Sequence, residues 1–280
     1  MSYVAHKQLS ILINLGWSFQ YGMLIISLAG VVVLLLLCVL GWNLILKVLG
    51  AVISYKAALS IWALSFPARY IPGGIWAYTS RASLSSSYGV ELSTAITSMY
   101  VETLLIILSS ITVGIISLIW ISHLPVTIEI VLFSWLASLI LVHPKILIRL
   151  LEIRARKECL TKNLILLNKK SILKLFFYYI FYWGLCSIFF LFFVLSIYPV
   201  SHNDWLPVAL SFPLCYFMGF IIFFVPSGIG IRESALYMML SSLLPDNINL
   251  LVSLGSRLWL MGGEILFLFL VFIIKKLAKN

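Results

Sequence analysis

The sequence predicts an all-α, polytopic membrane bundle of about eight spans, with two Pro/Gly-interrupted and possible re-entrant segments placed alike in two repeat-like halves. Three observations predict it. Of the 280 residues, 62% are hydrophobic and 10% charged, and the mean hydropathy of +1.12 is far from that of a soluble domain. The apolar residues gather into stretches near the ~20 residues that a helix needs to cross a hydrocarbon core. Two backbone-breaking motifs, RYIPGGIW at 69–76 and FVPSGIGIRE at 224–233, interrupt otherwise apolar sequence. This leaves no room for a sizeable catalytic domain in water. Residues 1–280 are expected to form a single integral membrane domain.

Taken in order, the N-terminus carries one lysine, Lys7, and no small-residue cleavage site after a short apolar core. The first span is therefore expected to stay in place rather than be removed as a signal peptide. Apolar runs then predict spans at Met23 to Gly41, Trp42 to Phe66, Ala95 to Ile121, Ile128 to Val142, Ile172 to Tyr198, Pro207 to Val225, Arg232 to Leu244 and Leu250 to Ile274. The first two runs are nearly continuous, and Lys47 and Lys56 can snorkel, so the turn is placed only loosely near Trp42. Gly255, Gly262 and Gly263 would let a neighbouring backbone approach the last span closely.

Charge gives the orientation. Residues 143–174 hold nine Lys or Arg against Glu152 and Glu158, and by the positive-inside rule this connection is cytoplasmic. The tail carries Lys275, Lys276 and Lys279, whereas the connections near 121–125, 199–205 and 245–249 contain no Lys or Arg. Those three are expected outside, the C-terminus inside and, with eight spans, the N-terminus inside as well. The basic connection divides the chain into halves of about 1–142 and 172–280.

Pro72, Gly73 and Gly74 in the first half, and Pro226, Gly228 and Gly230 in the second, should each break a helix, because proline removes a backbone donor and glycine removes side-chain cover. Paired interruptions at corresponding places point to a transporter-type site at a repeat interface. Four crossings per half would make the halves parallel. A segment that turns back would make them inverted, and the sequence allows both.

Eight ionisable residues fall in or beside apolar segments: Arg69, Arg81, Glu91, Glu102, Arg232, Glu233, Arg257 and Glu264. They are four of each sign, so the formal excess of +10 lies outside this set. Each ion near a helix centre costs roughly 2.5–3.5 kcal/mol on the lenient insertion scale, which demands pairing, water or a charged ligand. Eleven residues separate Glu91 from Glu102 and seven separate Arg257 from Glu264. At about 100° per residue each pair returns to within about 20° of one face if its helix is continuous, giving both helices a polar edge. Arg81, Glu102, Arg232, Glu233, Arg257 and Glu264 are the candidate substrate-binding residues, with Arg69 and Glu91 secondary. Against this stand blander roles: headgroup-level anchoring for Arg69, Arg81 and Glu91, structural pairing for Glu102, Arg257 and Glu264, and helix capping for Arg232 and Glu233. Tyr70, Trp76, Tyr78 and Tyr100 suit an interfacial belt better than a cavity wall. The aromatic run Phe176, Phe177, Tyr178, Tyr179, Tyr182 and Trp183 reads as lipid contact and packing.

Several chemistries find no support. Gly228 and Gly230 follow no strand, no phosphate-loop motif occurs, and His6, His123, His143 and His202 are scattered without metal-ligand spacing. Cys38, Cys159, Cys186 and Cys215 form no CxxC pair, so no disulfide, metal site or cofactor is expected. Ser85 to Ser87 near Glu91 lack a histidine neighbour and suit hydrogen bonding beside a break.

Together, Arg69-Tyr70-Ile71-Pro72-Gly73-Gly74-Ile75-Trp76, then Arg81, Gly89 and Glu102, then Val225 to Glu233, then Ser256-Arg257-Leu258-Trp259 resemble the lysylphosphatidylglycerol synthase transmembrane region, a flippase-like family, over nearly the whole chain. Ser227 stands where the family usually has glycine, and Gly74 where it often has a basic residue. The resemblance implies an integral plasma-membrane protein of a prokaryote whose relatives move aminoacylated phospholipids between leaflets; others are associated with envelope glycan and polyprenyl-lipid pathways. The soluble lipid-synthesising domain of those relatives has no counterpart here, so a stand-alone translocation module is expected rather than an enzyme. The function expected is a lipid translocase for an aminoacylated phospholipid or polyprenyl-linked glycolipid. Its alternatives are an accessory subunit of an envelope-assembly complex and a membrane-embedded transferase using a lipid-linked donor. The expected partners are membrane lipids and, beyond them, envelope-biosynthesis enzymes; the basic excess is read as loops facing anionic headgroups, not as a nucleic-acid site.

Overall fold

A computed structural model describes residues 19–71, 75–120, 129, 133, 136, 168–221 and 230–277. Among them are eight α-helices and no strand: α1 (Tyr21–Val48), α2 (Tyr55–Ser65), α3 (Trp76–Ser86), α4 (Leu92–Gly114), α5 (Lys169–Ile197), α6 (Trp205–Ile221), α7 (Ile231–Leu240) and α8 (Asp246–Leu277). Four, α1, α4 with its 3-10 extension, α5 and α8, are long and apolar enough to cross a membrane. The other four pair off as two hairpins. The span expected at Ile128 to Val142, the break residues Pro72, Gly73, Gly74, Pro226 and Gly228, and most of the basic connection lie outside the described residues.

The first boundary differs from the sequence reading. α1 runs through Gly41 and Trp42 and stops at Val48. Gly50, at φ +84°, lets its own N–H reach the Lys47 carbonyl and the Ala51 N–H reach the Leu46 carbonyl at 2.9 Å, the paired bonds that close a helix C-terminus. Ser54 then caps α2 by accepting from the Ala57 N–H at 3.2 Å. The turn carries no charge, which is why the apolar run appeared continuous. α3 is a helix where the sequence reading places no span, just after the first break; its Thr79, Ser85 and Ser86 hydroxyls donate to carbonyls one turn back, a way of satisfying hydroxyls in apolar surroundings.

Close contacts set the directions. α1 and α5 are antiparallel: the Gln20 N–H donates to the Ser196 carbonyl, the Tyr178 hydroxyl donates to the Leu37 carbonyl at 2.6 Å, Gly30 faces Phe189 and Gly41 faces Tyr179. α8 is antiparallel to α5, with Gly255 and Trp259 against Phe193 and Trp259 also near Phe190. Gly263 abuts Val31 and Gly262 abuts Leu28, the close approach expected of the last span. α4 starts at the Val48 end of α1, where the Trp42 indole donates to the Ser98 hydroxyl at 2.9 Å.

These directions give the bundle one basic end, carrying Lys47, Lys56, Lys169, Lys170, Lys174, Lys275 and Lys276, and an opposite end where the turns at 198–204 and 241–245 carry no Lys or Arg. The α2/α3 hairpin opens at the basic end and the α6/α7 hairpin at the other. α2 and α3, eleven residues each, are about 16 Å long, half of a hydrocarbon core of about 30 Å, so this hairpin enters and returns. In the second, Gly219 lies against Arg232 and Cys215 against Met239, an antiparallel register. Among the described residues each half therefore reads long helix, re-entrant hairpin, long helix, and the two hairpins enter from opposite faces. Of the two arrangements the sequence allows, the described helices adopt the inverted one.

Candidate functional site

Residues beside the tips of both hairpins line one cavity near mid-depth. Glu264 stands thirteen residues before the end of α8, about 20 Å along its axis. Arg69, in the 3-10 turn Phe66–Tyr70 at the tip of the first hairpin, donates through Nη1 to Glu264 Oε1 at 3.2 Å. The Tyr70 hydroxyl donates to the other oxygen, Glu264 Oε2. One turn into α3, Arg81 donates through Nη1 to Glu102 Oε2 at 2.7 Å. Its guanidinium lies 4.8 Å from the Trp62 ring and 5.4 Å from Trp42, a cation–π seat worth about 2 kcal/mol where desolvated.

The second tip contributes Arg232. Gly230, at φ +85°, begins α7, and a Cβ at Gly219 would lie 3.1 Å from the Arg232 Cβ; glycine there lets the two arms close. The Arg232 guanidinium packs against Phe212 at 4.7 Å and Tyr216 at 4.8 Å, rings one turn apart on α6.

Between the tips lies a cavity of ≈ 270 Å³. Arg69, Arg81, Glu102, Arg232 and Glu264 all line it, with Tyr78, Thr103, Tyr182 and Tyr216 as further polar lining and Trp62, Phe66, Trp183, Phe212 and a wall of α1 from Val31 to Cys38 as apolar lining. The site combines fixed charge at bilayer depth with aromatic walls. Buried atoms without a hydrogen-bond partner cluster here: Arg81 Nε, Glu102 Oε1, Arg232 Nε and Arg232 Nη2. Unpaired groups so far from water are costly, so they mark where a polar ligand or water belongs.

Four of the six candidate residues, Arg81, Glu102, Arg232 and Glu264, are brought to this cavity, and the secondary candidate Arg69 joins them. Glu233 and Arg257 are elsewhere. Glu233 Oε2 accepts from the Gly230 N–H at 2.7 Å, capping α7, and its Oε1 accepts from Arg257 Nη1 at 3.0 Å, tying the hairpin to α8. Arg257 and Glu264 thus serve different partners, although one helical stripe holds both. Glu91 precedes α4 and is exposed. Its supposed shared face with Glu102 does not form, because the helix carrying Glu102 begins only at Leu92.

Sequence reasoning missed the aromatic and sulfur lining. Tyr182 and Trp183 read as lipid contact and packing, and Cys186 only as a cysteine without a CxxC partner, yet all three line the cavity. The signal was available: Phe176, Tyr179, Trp183, Cys186 and Phe190, all buried, recur at alternating three- and four-residue spacing, the mark of one inward helix face, while Phe177 and Phe181 between them are exposed. Of the expected belt residues, Trp76 and Tyr100 are exposed, but Tyr78 lines the cavity and Tyr70 holds Glu264.

With this geometry in place, comparison with known proteins gives one family. Residues 2–261 match the family described as lysylphosphatidylglycerol synthase TM region. No curated protein matches the chain.

Proposed function

The chain belongs to the lysylphosphatidylglycerol synthase TM-region family, and we propose that it is a lipid translocase rather than an enzyme. The observation that carries this reading is the charged cavity lined by residues of both hairpins, which enter from opposite faces. A headgroup crossing the bilayer needs polar contacts at mid-depth, while its acyl chains can stay in the lipid that surrounds the exposed apolar side chains of α1, α5 and α8. Both cavity carboxylates already receive arginine donors, which suits a binding site better than a general base. Inverted re-entrant elements meeting at a central site are the architecture of alternating access, in which one half moves against the other around the cargo.

In this reading the partners are membrane lipids, and envelope-biosynthesis enzymes supply or consume the cargo. The basic end faces the cytoplasm of a prokaryotic cell by the positive-inside rule, so the C-terminal lysines are cytoplasmic and the α6/α7 hairpin opens outward. The test is reconstitution: purified protein in liposomes with a fluorescent phospholipid, followed by addition of an impermeant quencher. Quenching beyond the outer-leaflet share, at the rate of protein-containing vesicles only, is the expected result. A new lipid species by mass spectrometry, with no change of leaflet, would replace translocation by transferase chemistry.

A further inference from the structure

Among the described residues, three arginines and two glutamates line the cavity. Two of the arginines are matched, Arg69 by Glu264 and Arg81 by Glu102. Arg232 is not. It is 8% exposed, makes no ion pair with any described carboxylate, and its Nε and Nη2 have no hydrogen-bond partner. The carboxylate beside it in sequence, Glu233, is engaged by Gly230 and Arg257. Phe212 and Tyr216 cushion the guanidinium but offer it no acceptor in its plane.

The two free nitrogens belong to one edge of the guanidinium. Their N–H bonds run parallel, the fork that matches two oxygens of a phosphate or carboxylate. A lone cation at this depth is expensive without a counter-charge, and the cavity has one positive charge more than it neutralises. For a cationic amine the cavity is poorly furnished, since each carboxylate already holds an arginine. Glu102 Oε1, without a partner, remains to accept a hydroxyl.

We propose that the cavity takes a lipid headgroup of net charge minus one, a phosphodiester bearing hydroxyls rather than amines, with its phosphate oxygens on the Nε/Nη2 edge of Arg232, an edge covered in this structure that the guanidinium turns toward the cavity to present. This deepens the translocase reading and rests on it. Neutral and cationic headgroups are the disfavoured cargo, because the ammonium groups they add to the phosphate meet carboxylates already paired with arginine and leave the cavity with uncompensated positive charge.

The experiment measures binding of three lipids to the purified full chain in mixed micelles, by native mass spectrometry: phosphatidylglycerol, phosphatidylcholine and lysyl-phosphatidylglycerol. Free glycerol phosphate is the soluble competitor. Phosphatidylglycerol should bind about ten- to a hundred-fold more tightly than the other two, the range of a charge-assisted hydrogen-bond pair. Arg232→Gln should erase that preference and Arg232→Lys should keep part of it; size-exclusion profiles establish that each variant is folded, and the lysine variant decides the matter if the glutamine variant is not. Equal or tighter binding of the cationic lipid, or an unchanged preference in Arg232→Gln, overturns the proposal. So does competition by glycerol phosphate at the same concentration as the lipid, which would make this a site for small anions. Selective binding without leaflet movement in liposomes would sink the translocase reading and leave the headgroup assignment standing. Movement of all three lipids at one rate would do the reverse.

Discussion

Replacing Glu102 by glutamine removes the counter-charge of a buried arginine and leaves its shape. Arg81 Nη1 and Glu102 Oε2 are 2.7 Å apart, and the two residues are 8% and 5% exposed. At an effective dielectric of about 20, unit charges about 4 Å apart attract by about 4 kcal/mol, and breaking a buried pair from one side costs about 3–5 kcal/mol. Trp42 and Trp62 stay under the guanidinium and offset about 1 kcal/mol of that loss, so Glu102→Gln should destabilise the fold by about 2–4 kcal/mol. Arg81→Met alone should cost a similar amount. The double variant, Arg81→Met with Glu102→Gln, should cost about 1–3 kcal/mol, the cost of a buried amide without a partner, because it leaves no unpaired charge. The assay is a double-mutant cycle on unfolding in mixed micelles, with a coupling of about 4 kcal/mol expected, near the attraction of the pair itself. Single variants that each cost less than about 1 kcal/mol and add without coupling would refute the account of this pair.

Other consequences are as direct. Gly41→Leu would set a Cβ 2.7 Å from the Tyr179 hydroxyl and 2.9 Å from Tyr178; overpacking of this kind costs about 1–3 kcal/mol, read as a lowered thermal midpoint, and an unshifted midpoint would argue against the α1–α5 contact. Gly230→Ala should cost about 1–2 kcal/mol because of its positive φ, whereas Gly22→Ala, inside α1 with open space around its Cβ, should cost nothing and stabilise by up to about 1 kcal/mol; equal losses would refute the strained opening of α7. Single cysteines at Val52 and Ser201, in an otherwise cysteine-free chain, sit at opposite ends of the bundle and should react with an impermeant thiol reagent from opposite sides of sealed vesicles. Labelling of both from one side would refute the inverted hairpins.

The long helices were legible because composition alone decides them: nothing in Tyr21–Val48 or Lys169–Ile197 competes with burial in lipid. The short arms were harder. α3 holds the polar sequence WAYTSRASLSS, whose hydroxyls satisfy themselves on their own backbone, so its polarity concealed a helix. The turn at Gly50 was hidden because its flanks are apolar and its closing bonds are purely backbone. As for the site, single charges in apolar sequence announced themselves by their cost, and five of those eight residues line the cavity. Their pairing did not, because Arg69 and Glu264 lie 195 positions apart, and no local pattern distinguishes that partnership from Arg257 with Glu264. The inward aromatic face of α5 was obscured by its neighbours, since rings facing lipid and rings facing protein differ only in phase along the helix.

The aromatic seat of Arg232 affects how readily the cavity lets go. A carrier that grips an anion with a bare guanidinium must restore the whole of that attraction when cargo leaves, and turnover slows as the grip tightens. Phe212 and Tyr216 lie against the cation and attract it by about 1–2 kcal/mol, most strongly when no anion screens its charge. They narrow the gap between the loaded and empty states by making emptiness tolerable, and so favour speed of exchange over strength of hold.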